Sequence, residues 1–454
     1  MPVTFYRATA LTLARPDSPG RHKYHRRQTS LRILGGFHPG GAAAILATIA
    51  RLLSLGTACF VTSSIGLGEV GSMATFPPSA QQPSCGGGKR RELPQGGEAV
   101  DPQGMLDPRN GFLGSDQEKA NADGLWLLPL SYVLFRRQNV SISHVLDSAN
   151  RDLVKGKPPV GTSPVEAWKW NSGDMATTKW VPQRITGSAD ASASGKWDSR
   201  EMWLVSWHRD DDKSVRVSFV DRKTHKYRHV LLVEPTAEDN FAAVPVHAGG
   251  IAWYGEWLYV VDTSHGIRVL DLGKIWEVED GDDVGKNGGK YSAAGYLYVL
   301  PQIRSYKWTP GSSSPFRFSW VSLDRSDDTL LVGEFIRDSS KDPIRLVKYP
   351  LDSNTGKLKT NDKSIVTATW AYCADFLRMQ GGFSYGNTFY LSRSNGRSPK
   401  AGDMFKWKPG GMAELRSGWF MAGNEDLSYN KVRKEYYTVT EYDGEQFILA
   451  YNKM

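Results

Sequence analysis

From about residue 175 onward, short apolar strands alternate with glycine-rich and polar turns. The pattern is clearest at residues 247–272, HAGGIAWYGEWLYVVDTSHGIRVLDL, which read as strand, turn, strand, turn, strand. Residues 379–408 and 423–451 repeat it, each with a polar or glycine start, an apolar strand, an aromatic and β-branched strand, and a third strand. Runs of this kind between turn-forming residues are strand signals. Self-similarity over tens of residues marks a repeat architecture, and four-stranded sheets repeated about an axis make a β-propeller. Two further units precede and separate these. Residues 202–208, 214–221 and 227–234 form one, and 316–324, 329–335, 344–352 and 364–372 another.

An all-β propeller over residues 175–454 is therefore expected. A four-stranded blade takes roughly 40–50 residues, so five or six blades fit. The last unit ends at its third strand, QFILAYN (446–452), while MATTKWVPQ (175–183) is a strand without a unit. The two should complete one blade and latch the ring, which leaves few open edges.

The N-terminal part has another character. Residues 1–71 join an Arg-rich arm to an apolar run at 42–67 interrupted only by Arg51. This resembles an export signal with a long basic region, and a secreted protein is expected; an organellar transit peptide is the alternative. Arg51 splits the run into pieces too short to span a bilayer, so no stable membrane span is expected after processing. Residues 72–124 are rich in Pro, Gly, Gln and charge and read as a disordered linker. Residues 125–174 should pack on the propeller, with a short helix in 141–154. Asn139-Val140-Ser141 is a glycosylation sequon.

Charge and cysteine content narrow the function. Residues 1–100 hold eleven Lys and Arg against four Asp and Glu, so they carry nearly all of the chain's net +8. The basicity belongs to the arm and not to a folded groove, which argues against a nucleic-acid ligand. Three cysteines, Cys59, Cys85 and Cys373, make no disulfide framework, and Cys373 reads as a small buried hydrophobe. A monomer is expected.

In a propeller the turns leading into the innermost strands and those after the second strands open on one face. At the first set stand Gln183, His247, Gln380, and Asn424 with Glu425 and Asp426. At the second stand Trp207 with His208, Asp262, Glu334, Arg393 and Glu441. The carboxylates offer acceptors to hydroxyls or a cation. A pair drawn from Asp262, Glu334, Glu425 and Glu441 would suit general acid–base catalysis. Arg393 offers a planar fork, as the only cation among several carboxylates. His247 suits a general base or a metal ligand. Each of these also has a plainer reading, since strand-end Asp and Glu commonly cap turns or pair with a nearby Arg. Asp280-Gly281-Asp282-Asp283 looks like half a calcium loop but lacks the later Glu. No zinc spacing is present, so neither a metal nor another cofactor is expected. The glycine pairs 249–250 and 381–382 fit close approach at a crowded channel and lack a phosphate-loop context.

The segments VPQ (181–183), HAGGIAWYGEWLYVVDT, FRFSWVSLDR, MQGGFSYGNTFYLSRS and GNEDLSY together resemble predicted secreted proteins of actinomycetes and fungi, propellers of the NHL or YncE kind. The resemblance covers about 175–454. It implies export and a propeller and nothing about a substrate. Three functions follow. The first is binding of a sugar or other small polar ligand at a carboxylate-rich mouth. The others are a hydrolase or lyase acting on a glycan or lactone, and a protein-interaction scaffold. Fold alone does not choose among them.

Overall fold

The computed structural model describes residues 113–116 and 139–452, apart from 238–239, 309–315, 339–343, 362–364 and 375. The segment read as an export signal, most of the expected linker, Cys59 and Cys85 lie outside these residues. The described chain is a propeller of five blades. Blade 1 runs from the inner strand Trp180–Gly187 through Met202–Arg209 and Val215–Asp221 to Lys226–Ala237. Blade 2 comprises Ile251–Tyr254, Trp257–Asp262, Gly266–Asp271 and Tyr298–Trp308. Blade 3 comprises Trp320–Asp324, Thr329–Gly333, Ile344–Pro350 and Trp370–Ala374. Blade 4 comprises Met379–Tyr385, Thr388–Arg393, Gly402–Trp407 and Glu414–Phe420. Blade 5 comprises Ser428–Asn430, Glu435–Val439 and Phe447–Asn452, completed from far upstream by Glu166–Lys169.

The latch is thus not the segment expected. Residues 175–183 do not complete the last blade. Trp180–Gly187 is the inner strand of blade 1, paired with Met202–Arg209. The closing strand is Glu166–Lys169, with Leu449 opposite Ala167. Its four residues are too short to show an alternation in the sequence. The helix expected over 141–154 is only Ile142–Asp147, capped by the Ser141 hydroxyl, which accepts from the His144 amide at 3.1 Å. Beyond it the chain turns to short strands at Arg151–Asp152 and Val154–Lys155. Among the described residues no helix is long and apolar enough to cross a membrane.

Strand alternation explains the packing. In Trp257–Asp262, Leu258 and Val260 face blade 1, while Tyr259 and Val261 face blade 3. Both sides are apolar because both are covered, each buried side chain contributing about 1.5–3 kcal/mol. Every neighbouring pair of blades shares such a core. The ring closes with Tyr437, Val439 and Ile448 of blade 5 against Trp203, Val205 and Trp207 of blade 1. The inner strands touch in sequence around the axis, blade 5 meeting blade 1.

Glycines make that approach possible. A Cβ on Gly250 would sit 2.5 Å from the Val321 amide nitrogen, and one on Gly381 would sit 2.3 Å from the Asp426 Cα. Cys373, on the outer strand of blade 3, is disulfide-bonded, which corrects its reading as a simple buried thiol.

Candidate functional site

The residue that organises the channel is Arg184, which the sequence reading did not single out. It is 3% exposed and lies in the inner strand of blade 1. The ladder with Met202–Arg209 shifts register between Pro182, opposite Trp207, and Arg184, opposite Ser206. Gln183 is the extra residue of this bulge. A bulge re-aims the side chains that follow it. Pro182 is tolerated here because an inner strand is a sheet edge and its missing amide leaves no ladder partner unpaired. The inner strand of blade 4 has the same device. Met379 faces Arg393, Gly381 faces Ser392, and Gln380 is the extra residue.

Arg184 reaches groups from across the ring. Its Nε donates to the Gly249 carbonyl ahead of blade 2 and its Nη2 to the Ser319 carbonyl ahead of blade 3, at 3.2 Å. Nη1 donates to the Gln183 carbonyl at 3.0 Å and to Glu425 Oε2, ahead of blade 5. Gln380 of blade 4 closes the circuit, its Nε2 donating to Glu425 Oε1 at 2.9 Å. All five blades therefore meet at the Arg184–Glu425 pair.

Two more carboxyl groups crowd this guanidinium. Asp426 is fully buried. Its Oδ1 accepts from the amides of Leu427 (2.7 Å) and Gly382 (3.3 Å). Its Oδ2 lies 3.8 Å from Arg184 Nε and has no donor in close hydrogen-bond geometry among the described residues, although the Val321 amide also faces this carboxyl. Burial pushes the Asp426 carboxyl up to about 8, against the pull of Arg184 and the amides of Leu427, Gly382 and Val321. Burial also raises Glu425 well above the usual range; Arg184 opposes this, and the charges of Glu441 and Asp426 add to it. Glu441, just past the second strand of blade 5, is raised by burial against Arg184 and hydrogen bonds from Tyr442 and Gln183. One guanidinium offsets the burial of three carboxyl groups only in part, so all three resist ionisation. The Asn424 side chain beside them is fully buried, with neither polar atom partnered among the described residues.

At the outer edge stand His208, Asp212 and His247. His208 Nδ1 lies 2.6 Å and His247 Nδ1 3.0 Å from the same Asp212 Oδ1. Burial lowers the His208 pKa, His247 adds to this, and Asp212 opposes it. The charge of His208 is felt at Glu441, which joins this group to the channel.

The remaining candidates are not gathered here. Asp262, Glu334 and Arg393 do sit at equivalent ends of their second strands, but each is engaged within its own blade. Asp262 accepts from Arg268 Nε at 3.0 Å and contacts His265 Nδ1 at 2.7 Å. Glu334 is held in a two-point pair by Arg345, 2.7 Å at each contact, and is 1% exposed. Arg393 donates from Nε to Asp403 at 2.9 Å, so it is not the cation of the mouth. Burial raises the Asp403 carboxyl, but hydrogen bonds from Asn395, the Gly418 amide and Arg393 outweigh it and leave the pKa lowered. These three pairs follow the plainer reading, a strand-end charge matched by the start of the next strand. Trp207 is also away from the mouth. It is fully buried between blades 1 and 5, its Nε1 donating to Ser218 Oγ at 2.8 Å.

From Ser218 a second polar chain runs on. Ser218 Oγ lies 2.9 Å from His229 Nδ1, and His229 Nε2 lies 3.0 Å from Asp174 Oδ2. The order is that of a nucleophile, base and acid. Ser218 is wholly buried, however, and its oxygen already accepts from Trp207, so this chain ties the helical turn Ser172–Met175 to blade 1. Burial takes His229 down to about 3, which keeps it neutral. In the Asp280–Asp283 tract, Asp283 Oδ2 accepts from Asn287 at 2.7 Å.

No known protein family and no curated protein matches this chain. Solved structures similar to it include the β-propeller domain of Cps50 (Swd1) from Myceliophthora thermophila, 13% identical, with a TM-score of 0.31 over 60% of this chain and 84% of that one. A quinoprotein alcohol dehydrogenase-like protein of Bacteroides thetaiotaomicron is 12% identical, TM-score 0.28, over 63% of this chain and 65% of that one. A structure from a study of two prolyl endopeptidases is 12% identical, TM-score 0.23, over 74% of this chain and 44% of that one. Less than two thirds of the latter two chains is thus spanned. The propeller assignment rests on the five four-stranded units themselves, of which blades 1 and 2 are joined in one sheet by the parallel pairing of Tyr298–Trp308 with Lys226–Ala237.

Proposed function

We propose that this propeller is a binding module whose ligand, a sugar or another small polar molecule, is held through its hydroxyl or other donor groups at the mouth formed by Gln183, Gln380, Glu425, Asp426 and Glu441. One observation carries the reading. Three carboxyl groups of raised pKa share a guanidinium already committed to Glu425 and three carbonyls, and one of them, Glu441, is only partly buried. Such a site is rich in acceptors. A protonated carboxyl also donates, so a hydroxyl can be held from both sides. Arg184 has no free fork for an anion, which turns the expectation away from carboxylate or phosphate ligands. The NHL- or YncE-like resemblance and export of the chain belong to this reading. A second reading, hydrolysis of a glycan or lactone, is favoured by Glu441, since burial raises its carboxyl and a raised carboxyl beside other carboxylates suits the role of general acid.

A glycan array and a metabolite thermal-shift screen on the wild type and Glu441→Gln test both readings. Binding without turnover, weakened in the variant, supports the module. Turnover abolished by Glu441→Gln supports the hydrolase. If no compound shifts the wild type, the mouth reading falls and a scaffold that binds protein through its blade edges replaces it.

A further inference from the structure

The three side chains at the outer edge of the mouth come from two blades and meet at one point. His208 is near the end of the second strand of blade 1, and Asp212 is in the turn that follows. His247 is in the segment that leads into blade 2. Their ligand atoms all lie within 4.8 Å of one another, and no other such group of three occurs among the described residues. The two imidazoles stand 4.0 Å apart between centroids, tilted by 46°, with both Nδ1 atoms directed at Asp212 Oδ1.

We propose that His208, Asp212 and His247 bind a borderline divalent cation such as Zn²⁺ at the junction of blades 1 and 2. The donor set, two imidazole nitrogens and a carboxylate oxygen, is that of three-ligand sites, which leave a position open to water or a ligand oxygen. Bonds of about 2.0–2.2 Å in a tetrahedron place donor atoms roughly 3.3 Å apart. The observed contacts of 2.6 and 3.0 Å need to open by roughly 0.7 and 0.3 Å to reach that spacing, and Asp212, half exposed, has the room. Hydrogen bonding alone is the competing account, since His208 Nδ1 also lies 2.9 Å from the Arg209 carbonyl. It does not account for the backbone beside His247. Ala248, fully buried, has φ of 51°. An alanine held in the left-handed region is uncommon, and such strain gathers at functional sites. Here it falls on the segment that aims His247, whereas the φ of 55° at Asp212 is ordinary for Asp in a hairpin turn.

The proposal does not rest on the polar ligand proposed above. The test uses tag-free, chelator-treated full chain titrated with Zn²⁺ by calorimetry, and with Co²⁺ followed by its visible absorption. One equivalent per chain is expected, saturating at micromolar metal or below, with a Co²⁺ band that reports nitrogen and oxygen ligation. Losing an outer-shell partner of a metal ligand costs about 10–100-fold in affinity. Replacing a ligand, in His247→Ala or in the near-isosteric Asp212→Asn, should therefore cost at least that. Both side chains are partly exposed, so far-UV circular dichroism should be unchanged. Absence of saturable one-to-one binding by the wild type, or unchanged affinity in both variants, overturns the proposal.

Discussion

Arg184→Met should cost more than any other single change at the mouth, and more at pH 8 than at pH 5. Methionine keeps most of the buried volume and removes the charge together with the donors to Gly249, Gln183, Ser319 and Glu425. Breaking a buried pair from one side costs about 3–5 kcal/mol, because the remaining charge is left in a dry site. For a domain this large that is a fall in melting temperature of roughly 6–15 °C. The pH term has a definite sign. Arg184 pulls the Glu425 and Asp426 pKa values down, so its loss lets both rise further above their unfolded values. An acid whose pKa is raised by folding resists ionisation in the folded state, so stability is lost as pH climbs from the unfolded value toward the folded one. At pH 5 protons neutralise the orphaned carboxyls; at pH 8 they must ionise in place or stay protonated at a cost. Thermal unfolding followed by circular dichroism at both values measures this. The double variant Arg184→Met/Glu425→Gln should recover much of the loss at pH 8. A loss below about 1 kcal/mol, the range of an exposed pair, or an equal loss at both pH values with no rescue, would refute the hub.

Two more outcomes follow from the same geometry. Asp426→Asn keeps the oxygen that accepts from Leu427 and Gly382 and removes a carboxyl that burial holds from ionising, so it should match or exceed the wild type in melting temperature at pH 8, the advantage fading toward pH 4; a less stable variant at pH 8 would show that the ionised carboxylate is needed. Trp168→Pro should open the latch: the Ala167 carbonyl accepts from the Gly156 amide at 3.0 Å, so Ala167 turns its backbone to Val154–Lys155, the Trp168 amide opposite Ile448 faces Phe447–Asn452 by alternation, and a proline there should cost about 3 kcal/mol or more beyond Trp168→Ala. An unchanged melting curve would mean that Glu166–Lys169 does not seal the ring.

The architecture was legible because alternation is a strong signal wherever both faces of a strand are buried. Tyr436 and Tyr437, adjacent in sequence, pack into different inter-blade cores. The glycine pairs were legible for the same reason, as positions where a Cβ has no room. The mouth was half legible. Glu425, Asp426, Glu441, Gln183 and Gln380 come together, but Arg184 was missed because a bulge does not show in hydrophobic periodicity. One extra residue at Gln183 reverses the facing of the next side chain. The partners of Asp262, Glu334 and Arg393 were there to be read. Arg268, Arg345 and Asp403 each stand near the start of the following strand with opposite charge. Equivalent positions in a repeat share a place on the ring and need not share a role.

The ring is closed at two radii, and this links stability to the site. At the outer edge Glu166–Lys169 adds a strand to blade 5 by backbone ladder. At the axis Arg184 of blade 1 grips Glu425 ahead of blade 5. The outer seal is an ordinary ladder, but the inner one is a charge pair in a low-dielectric channel, with two further carboxyl groups pressing on it. A ligand that supplies donors to Asp426 or Glu441 relieves that pressure only in the closed ring, since the unfolded chain brings none of these groups together. It therefore stabilises the fold by mass action, about 2.7 kcal/mol at a hundredfold excess over its dissociation constant. Arg184→Met should lose both the stability and the ligand's effect on it, whereas Trp168→Pro should lower stability and leave a ligand-induced shift in whatever fraction remains folded.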